Sequence, residues 1–385
     1  MNYRTNIKNG DKIFPLAFGC MRFPQGENEL KNEISLAVEK GINYFDTAYI
    51  YPNSEERLGR ALSALNLRDS VKIATKLPPY FVNKYEDAEK IFTKQLSRLK
   101  TDYIDYYLMH MLTEAKTWER LEGIGIAKWA REKKAEGKIK NFGFSYHGGK
   151  QEFVKIIEAY DWDFCMIQYN YLDENNQAGK SGLKYAAQRG IPVMVMEPLR
   201  GGMLAGNMPA SALKVFDGAY VKRSPAEWGF KWVYNHPEVL TVLSGMNSAQ
   251  MIEENAKTAE ETAPLSLTER DFEIYSKVIE AINEKLHVNC TGCGYCMPCP
   301  SGVDIPHCFS SLNNTEISGK FKARLNYILH GDKHNASLCT ECGKCEKRCP
   351  QKIEIRKELK KTAECLEWFL YKPMRFAIRK FMKFS

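Results

Sequence analysis

Ile104-Asp105-Tyr106-Tyr107-Leu108-Met109-His110 is a short, mostly apolar run that stops on a histidine. Its aromatic and branched residues suit a strand, but the polar end needs a reason. The pattern recurs: Asp46, Lys76, Ser145, Gln168 and Glu197 each close an apolar run at its C-terminal end. Strands are expected at 14–20, 42–46, 71–76, 104–110, 139–145, 164–168, 191–197 and 239–244. Helical patterns at 30–40, 55–65, 88–99, 118–136 and 182–189 lie between them. Strands separated by helical crossovers predict parallel pairing and closure into an α/β architecture, a (β/α)8 TIM barrel. A doubly wound open sheet is the alternative, but it ordinarily carries a glycine-rich phosphate turn after its first strand. Phe18-Gly19-Cys20-Met21-Arg22-Phe23-Pro24 supplies no such turn. In a barrel the C-terminal rim carries the active site. One polar strand end can simply cap the next helix. A lysine and a histidine have no such capping role, so the convergent polar ends point to a site.

Nine of the chain's 12 cysteines fall between positions 290 and 349, eight of them in two tight runs. The first is Cys290, Cys293, Cys296, Cys299 and the second is Cys339, Cys342, Cys345, Cys349; each is followed by proline. The second has the C-x2-C-x2-C-x3-C-P spacing of a bacterial ferredoxin, whose fourth cysteine reaches across to the other cluster. Zinc also accepts four cysteines, but it usually joins separated C-x2-C pairs. The 385 residues therefore divide, on expectation, into a barrel at 1–285, a small, mainly helical dicluster ferredoxin-like domain at 286–360 and a basic aromatic tail at 361–385.

Charge follows that division. Residues 286–385 carry 17 Lys and Arg against 9 Asp and Glu, which accounts for the whole surplus of +8. Thiolate-bound cubanes are anionic, and nearby cations offset that charge, so nucleic acid is not expected as a partner. The N-terminus lacks the apolar stretch of a signal peptide, and no run of about eighteen apolar residues is long enough to span a bilayer. A cytoplasmic, reducing compartment is expected, where clustered cysteines act as metal ligands. The tail, Trp368 through Phe384, mixes aromatics with Lys and Arg. Folding back on the rest of the chain, docking to an acidic electron-transfer partner and contact with anionic lipid are its three readings.

Tyr44-Phe45-Asp46-Thr47-Ala48-Tyr49-Ile50-Tyr51, followed by Glu55 and Leu58-Gly59, resembles the signature of the aldo–keto reductase superfamily. Ile73-Ala74-Thr75-Lys76, Tyr107-Leu108-Met109-His110, Phe142-Gly143-Phe144-Ser145, Ile167-Gln168-Tyr169-Asn170 and Glu254-Asn255 continue the match in order. The resemblance implies a nicotinamide-dependent oxidoreductase acting on a carbonyl-class small molecule. It implies Tyr51 as general acid, Lys76 to lower the Tyr51 pKa, Asp46 to hold Lys76 and His110 to orient or polarise the carbonyl. It further implies Ser145 and Gln168 on the nicotinamide carboxamide, with Pro198, Leu199, Gly245, Asn247 and Asn255 lining the NAD(P)H dinucleotide.

Three departures stand out. Tyr146 and His147 follow Ser145 where an asparagine is usual, Met196 replaces the stacking aromatic, and Gly245 and Met251 fall where cations often grip the 2′-phosphate. NADH, NADPH and a flavin are all left open. The cysteine segment resembles that of aldo–keto reductases bearing a C-terminal 4Fe-4S domain. That resemblance implies two 4Fe-4S clusters, one on Cys290, Cys293, Cys296 and Cys349, the other on Cys339, Cys342, Cys345 and Cys299. The last interval of the first run is x2, not x3, so Cys308 is the alternative to Cys299. Hydride chemistry coupled to the clusters is the expected function, with an iron–sulfur electron carrier using the barrel as docking scaffold as the alternative.

Overall fold

The computed structural model describes residues 2–317, 319–330 and 334–375. The chain divides into two compact units. The first holds the described residues through Leu199 together with Ala226–Leu267; the second holds Arg200–Pro225 and the described residues from Thr268 onward.

An antiparallel pair, β1 (Arg4–Thr5) and β2 (Lys12–Ile13), opens the first unit. Eight parallel strands follow: β3 (Leu16–Gly19), β4 (Tyr44–Asp46), β5 (Lys72–Leu77), β6 (Ile104–Leu112), β7 (Ile139–Tyr146), β8 (Phe164–Gln168), β9 (Val193–Met196) and β10 (Val239–Ser244). They close in chain order, with β10 paired back to β3. The expected barrel is the observed one. The helical pattern at 118–136 resolves into two helices, Ala115–Gly123 and Ile126–Ala135, broken at Gly125, whose φ of +91° lies in the left-handed region.

Side chains on a strand alternate faces with period two. Tyr44, Ala74, Tyr106, Leu108, Phe164, Met166 and Met194 pack into one buried cluster inside the barrel. The alternate residues point outward: Tyr107 packs on Phe92 and Trp129 of the surrounding helices. Continuing the inward series by two residues gives Asp46, Lys76, His110 and Gln168 at the rim. Polar groups at those positions thus face the barrel mouth because the residues two before them face the core. At the other end the interior is sealed by the opening segment. Ile13 is fully buried, and the Tyr106 hydroxyl accepts from Asn6 at 3.1 Å and donates to Asp11 at 2.7 Å.

The second unit is built mainly from helices Glu269–Asn283, Ile305–Ile317, Lys320–His330 and Ile355–Leu366. Val303, Ile305, Phe309, Leu312, Ile355 and Leu359 form its core, with six of the run cysteines packed partly buried against it. The beginning of the aromatic tail belongs to this core. Tyr371 is buried and Trp368 and Met374 pack beside it. Arg324 lies 4.6 Å from the Trp368 ring and donates to the Cys365 carbonyl at 2.8 Å. The remainder of the tail, 376–385, lies outside the described residues. Among the described residues no helix is long and apolar enough to cross a membrane.

Gly59, on helix Ser54–Ala64, fixes how closely that helix approaches its neighbour. A Cβ there would lie 2.4 Å from the Arg98 carbonyl oxygen and 2.7 Å from the Leu99 Cα, both backbone atoms that cannot swing aside. Gly59→Ala is therefore expected to destabilise the barrel by about 1–3 kcal/mol through overpacking, read as a lower urea midpoint at unchanged m-value.

Candidate active site and the cysteine pocket

At the rim, Lys76 Nζ donates to Asp46 Oδ1 at 2.5 Å and to the Thr47 carbonyl at 2.7 Å. It also sits 5.2 Å from the centre of the Tyr51 ring, whose edge meets His110 at 6.0 Å between centroids. Asp46, Lys76 and His110 are each no more than 3% exposed, while Tyr51 keeps part of its surface open. The four residues come from three strand ends and one loop, and they are brought together.

Electrostatics assign their charge states. Burial disfavours the Lys76 ammonium, but attraction to Asp46, and then to Tyr51, outweighs it and holds the pKa above its usual value. His110 is pushed well below its ordinary value by burial, with Lys76 and His147 adding to the effect. It is a neutral imidazole at physiological pH. For Tyr51 the outcome differs from the expectation: burial raises its pKa, and the Lys76 pull downward only partly offsets this. Asp46, Glu197 and Cys20 push the same way as burial.

Behind these residues lies a buried network that the sequence signature only hinted at through Glu55. Glu55 Oε1 accepts from Thr75 Oγ1 at 2.6 Å and from Gln95 Nε2 at 2.8 Å, while Oε2 pairs with Arg98 at 3.0 Å. Gln95 Nε2 also reaches the Lys76 carbonyl at 3.1 Å, and its Oε1 accepts from the Tyr107 hydroxyl at 2.7 Å. The network ties the outward face of β5 and β6 to two helices, so that the inward-facing Lys76 and His110 keep their places. Gln95, in mid-helix, carries no spacing signal that reading along the chain detects.

The expected carboxamide-binding pair is also at the rim. Ser145 Oγ accepts from Met111 N–H at 2.8 Å, which leaves its own hydroxyl proton to donate elsewhere. Gln168 donates through Nε2 to Asp173 at 2.7 Å, and that carboxylate fixes which way the amide points. Its Oε1 is buried and, among the described residues, has no hydrogen-bond partner. A donor beside an acceptor complements a primary carboxamide, so this pair fits a nicotinamide. His147, two residues after Ser145, is buried against Gln177 at 3.1 Å, and burial pushes its pKa down to about 4.

At the end of β10, Gly245 and Asn247 are exposed, and a Cβ at Gly245 would meet nothing within 4 Å. Ser248 caps helix Ala249–Glu261, and Asn255 reaches Ser244 Oγ at 3.5 Å. A capped helix N-terminus beside open space suits a phosphate. Met251 is 46% exposed and carries no charge. Pro198 is buried just past β9, and Leu199 fills the space over Gly229.

In the second unit Cys290, Cys293, Cys296 and Cys349 line one pocket, walled by Ile305, Phe309, Ile353 and Ile355. Cys349 joins the first run across more than fifty residues of sequence. Burial raises the Cys296 pKa, and the neighbouring Cys290, Cys293 and Cys349 raise it further. Four thiols so arranged call for a cationic group among them. Among the described residues no three His, Cys, Asp or Glu side chains close around a point as they would around a single ion. Cys345 feels the charge of Cys339, Cys342 is exposed, and Ser301 meets Thr340 at 2.8 Å, joining the segment after Cys299 to the second run. Cys308 is fully buried in the apolar core, its thiol 3.8 Å from the Tyr327 hydroxyl.

Comparison with known proteins agrees with this arrangement. Residues 289–354 match the 4Fe-4S dicluster domain model. An uncharacterised oxidoreductase of Bacillus subtilis, YqkF, is 27% identical over 281 residues, covering 64% of this chain and 87% of that protein. The NADH-specific methylglyoxal reductase of Escherichia coli is 24% identical over 288 residues, covering 63% and 85%. The aldo-keto reductase AKR11C1 of Bacillus halodurans superposes with a TM-score of 0.59 at 24% identity, covering 72% of this chain and 96% of that one, a likeness of fold. Neither family description names a flavin. The aldo/keto reductase family model spans residues 15–280, and the chain belongs to that family: it is an oxidoreductase of the aldo/keto reductase type that carries a 4Fe-4S dicluster domain.

Proposed function

We propose that the chain reduces a small carbonyl compound at the Tyr51 site with NADH, and that it carries two 4Fe-4S clusters through which single electrons are exchanged. The observation that carries this reading is the convergence of Asp46, Lys76, Tyr51 and His110 at one barrel mouth. A bound nicotinamide supplies two electrons to the carbonyl carbon as hydride. Tyr51 gives its proton to the carbonyl oxygen as charge develops there. The Lys76 ammonium stabilises the phenolate left behind, and Asp46 holds that ammonium in place by a charge-assisted hydrogen bond. Neutral His110 donates to the same oxygen and orients the carbonyl. Gln168 Oε1 and the Ser145 hydroxyl hold the carboxamide, with Pro198, Leu199, Gly245, Asn247 and Asn255 along the dinucleotide.

NADH is favoured over NADPH because residues 244–255 contain two glutamates and no Lys or Arg. A 2′-phosphate needs cationic donors. The relative from Escherichia coli is NADH-specific, which supports the same choice. Cys290, Cys293, Cys296 and Cys349 would hold one cluster, and Cys299, Cys339, Cys342 and Cys345 the other, with the Cys308 thiol buried beside the Tyr327 hydroxyl. Hydride moves electrons in pairs and a cubane moves them singly, so coupling requires a two-to-one electron carrier such as a flavin or quinone. An anaerobic preparation that binds neither nicotinamide nor flavin defeats the coupled reading. The test of the whole proposal is analysis of iron, sulfide, flavin and nicotinamide on such a preparation, where about eight irons and a brown colour bleached by dithionite are expected.

Tyr51→Phe is expected to lower kcat by about 10²–10⁴-fold, the usual worth of a positioned acid, while leaving iron content unchanged; equal turnover in the variant would leave the barrel a scaffold. Because burial raises the Tyr51 pKa, carbonyl reduction should hold its rate past the ordinary tyrosine value of about 10 and fall only above it. Because His110 is already neutral, kcat/KM should show no inflection near pH 6.5, the ordinary histidine value. Steady-state KM for NADH is expected to be at least about tenfold below that for NADPH, and Met251→Arg should narrow the gap through its matching donors.

A further inference from the structure

We infer that the surface around the second cysteine run is a docking face for an acidic, one-electron protein carrier, with Lys344, Lys347, Arg348 and Lys352 as its recognition elements. The inference rests on the reading above that this run holds a cluster. Three observations carry it.

The first is access. Of the eight run cysteines only Cys342 is exposed; the other seven are partly buried. Electron transfer between proteins needs a short path to the redox group, and this is where the path to solvent is shortest. Leu338, which immediately precedes the run, is 39% exposed and offers an apolar contact beside it.

The second is charge. Residues 339–361 hold eight Lys and Arg against four Glu. Three of the cations are neutralised in place: Arg356 pairs with Glu346 at 2.8 Å, Lys357 with Glu354 at 2.7 Å and Lys361 with Glu358 at 2.8 Å. The other five are exposed and, among the described residues, form no ion pair; Lys360 stands on the following helix, and Lys344, Lys347, Arg348 and Lys352 stand at the cysteines. They interleave with Cys342, Cys345 and Cys349. Glu341 is the opposing carboxylate next to Cys342. Cations needed only to offset a buried cluster's charge would do so equally well from partners inside the fold. Cations left exposed and unpaired at its edge also project a field into solvent, and such fields steer oppositely charged proteins.

The third is rigidity. Arg356 bonds Glu346 through its backbone N–H at 3.0 Å and through Nε at 3.0 Å, tying helix Ile355–Leu366 to the short turn Glu346–Arg348 on which Lys347 and Arg348 stand. A fixed cationic platform loses little entropy when a partner lands on it. An acidic protein is favoured over duplex nucleic acid or lipid because the four cations fall within ten positions of one exposed cysteine and do not recur along the chain as a long stripe or an amphipathic face.

On docking, one electron leaves the carrier and one cluster gains it; no bond to the carrier forms. The probe is flavodoxin, an acidic one-electron carrier, used with the full chain purified anaerobically and first shown by iron and sulfide analysis to hold its clusters. Failure at that analysis overturns the cluster reading and, with it, the docking face; the measurements that follow test the face alone. With clusters present, calorimetric binding of oxidised flavodoxin should weaken at least about tenfold between low and high ionic strength. Reduction of the clusters by flavodoxin hydroquinone should slow in parallel, while reduction by the cationic dye methyl viologen stays level or quickens. The triple change Lys344→Glu, Lys347→Glu, Arg348→Glu should cut the flavodoxin on-rate by about 10–10³-fold with iron content kept. The milder Lys→Gln, Arg→Gln set gives a smaller loss in the same sense, and Lys128→Glu, on the exposed barrel surface, gives none. Salt-independent flavodoxin binding, equal losses with flavodoxin and viologen, or charge-sensitive binding to duplex DNA or anionic vesicles in place of flavodoxin would each overturn the inference.

Discussion

The contact between Lys76 and Asp46 is the constraint on which the barrel site rests. An ammonium taken out of water is costly unless a carboxylate and further acceptors meet it. Here Asp46 and the Thr47 carbonyl both do so, at 2.5 and 2.7 Å. The pair can form only because β4 and β5 are neighbours in the barrel and both residues occupy inward positions. Once the ammonium is fixed, the Tyr51 ring beside it and His110 across from it acquire their charge states from its field and from the same loss of solvent. The site is thus a consequence of strand parity and burial together, with the outward Glu55–Gln95 network holding the strands from behind.

The second unit solves a different problem. Its helices supply a modest apolar core, and the cysteines line its edge. A wall of isoleucine and phenylalanine flanks Cys290, Cys293, Cys296 and Cys349, a site crowded with thiols where each thiolate makes the next harder to form. The start of the aromatic tail contributes Trp368 and Tyr371 to this core, while Phe369 stays 85% exposed.

Much of the barrel was legible because period-two alternation is local. Tyr106, Leu108 and His110 announce one face without reference to any distant residue, and Ala74 and Lys76 do the same on the next strand. The cysteine spacing was legible for a similar reason. Other features were not. Gln95 looks like any helix residue, and its role appears only when Glu55, Thr75 and Tyr107 are brought around it. The downward pull of Lys76 on Tyr51 is legible because a neighbouring lysine can be read from sequence, whereas the net rise set by burial is not, because the depth at which the two lie cannot.

By itself the sequence determined the eight-strand barrel, the side on which its polar strand ends lie, and the eight thiols in two runs, since each depends on intervals of two to four residues. Only the tertiary structure decided that Cys349 shares a pocket with Cys290, that Gln168 keeps an acceptor oxygen without a partner among the described residues, and that burial overrides the pull of Lys76 on Tyr51. Those outcomes depend on which distant groups meet and how much water they lose, quantities that chain closure sets and no local interval records.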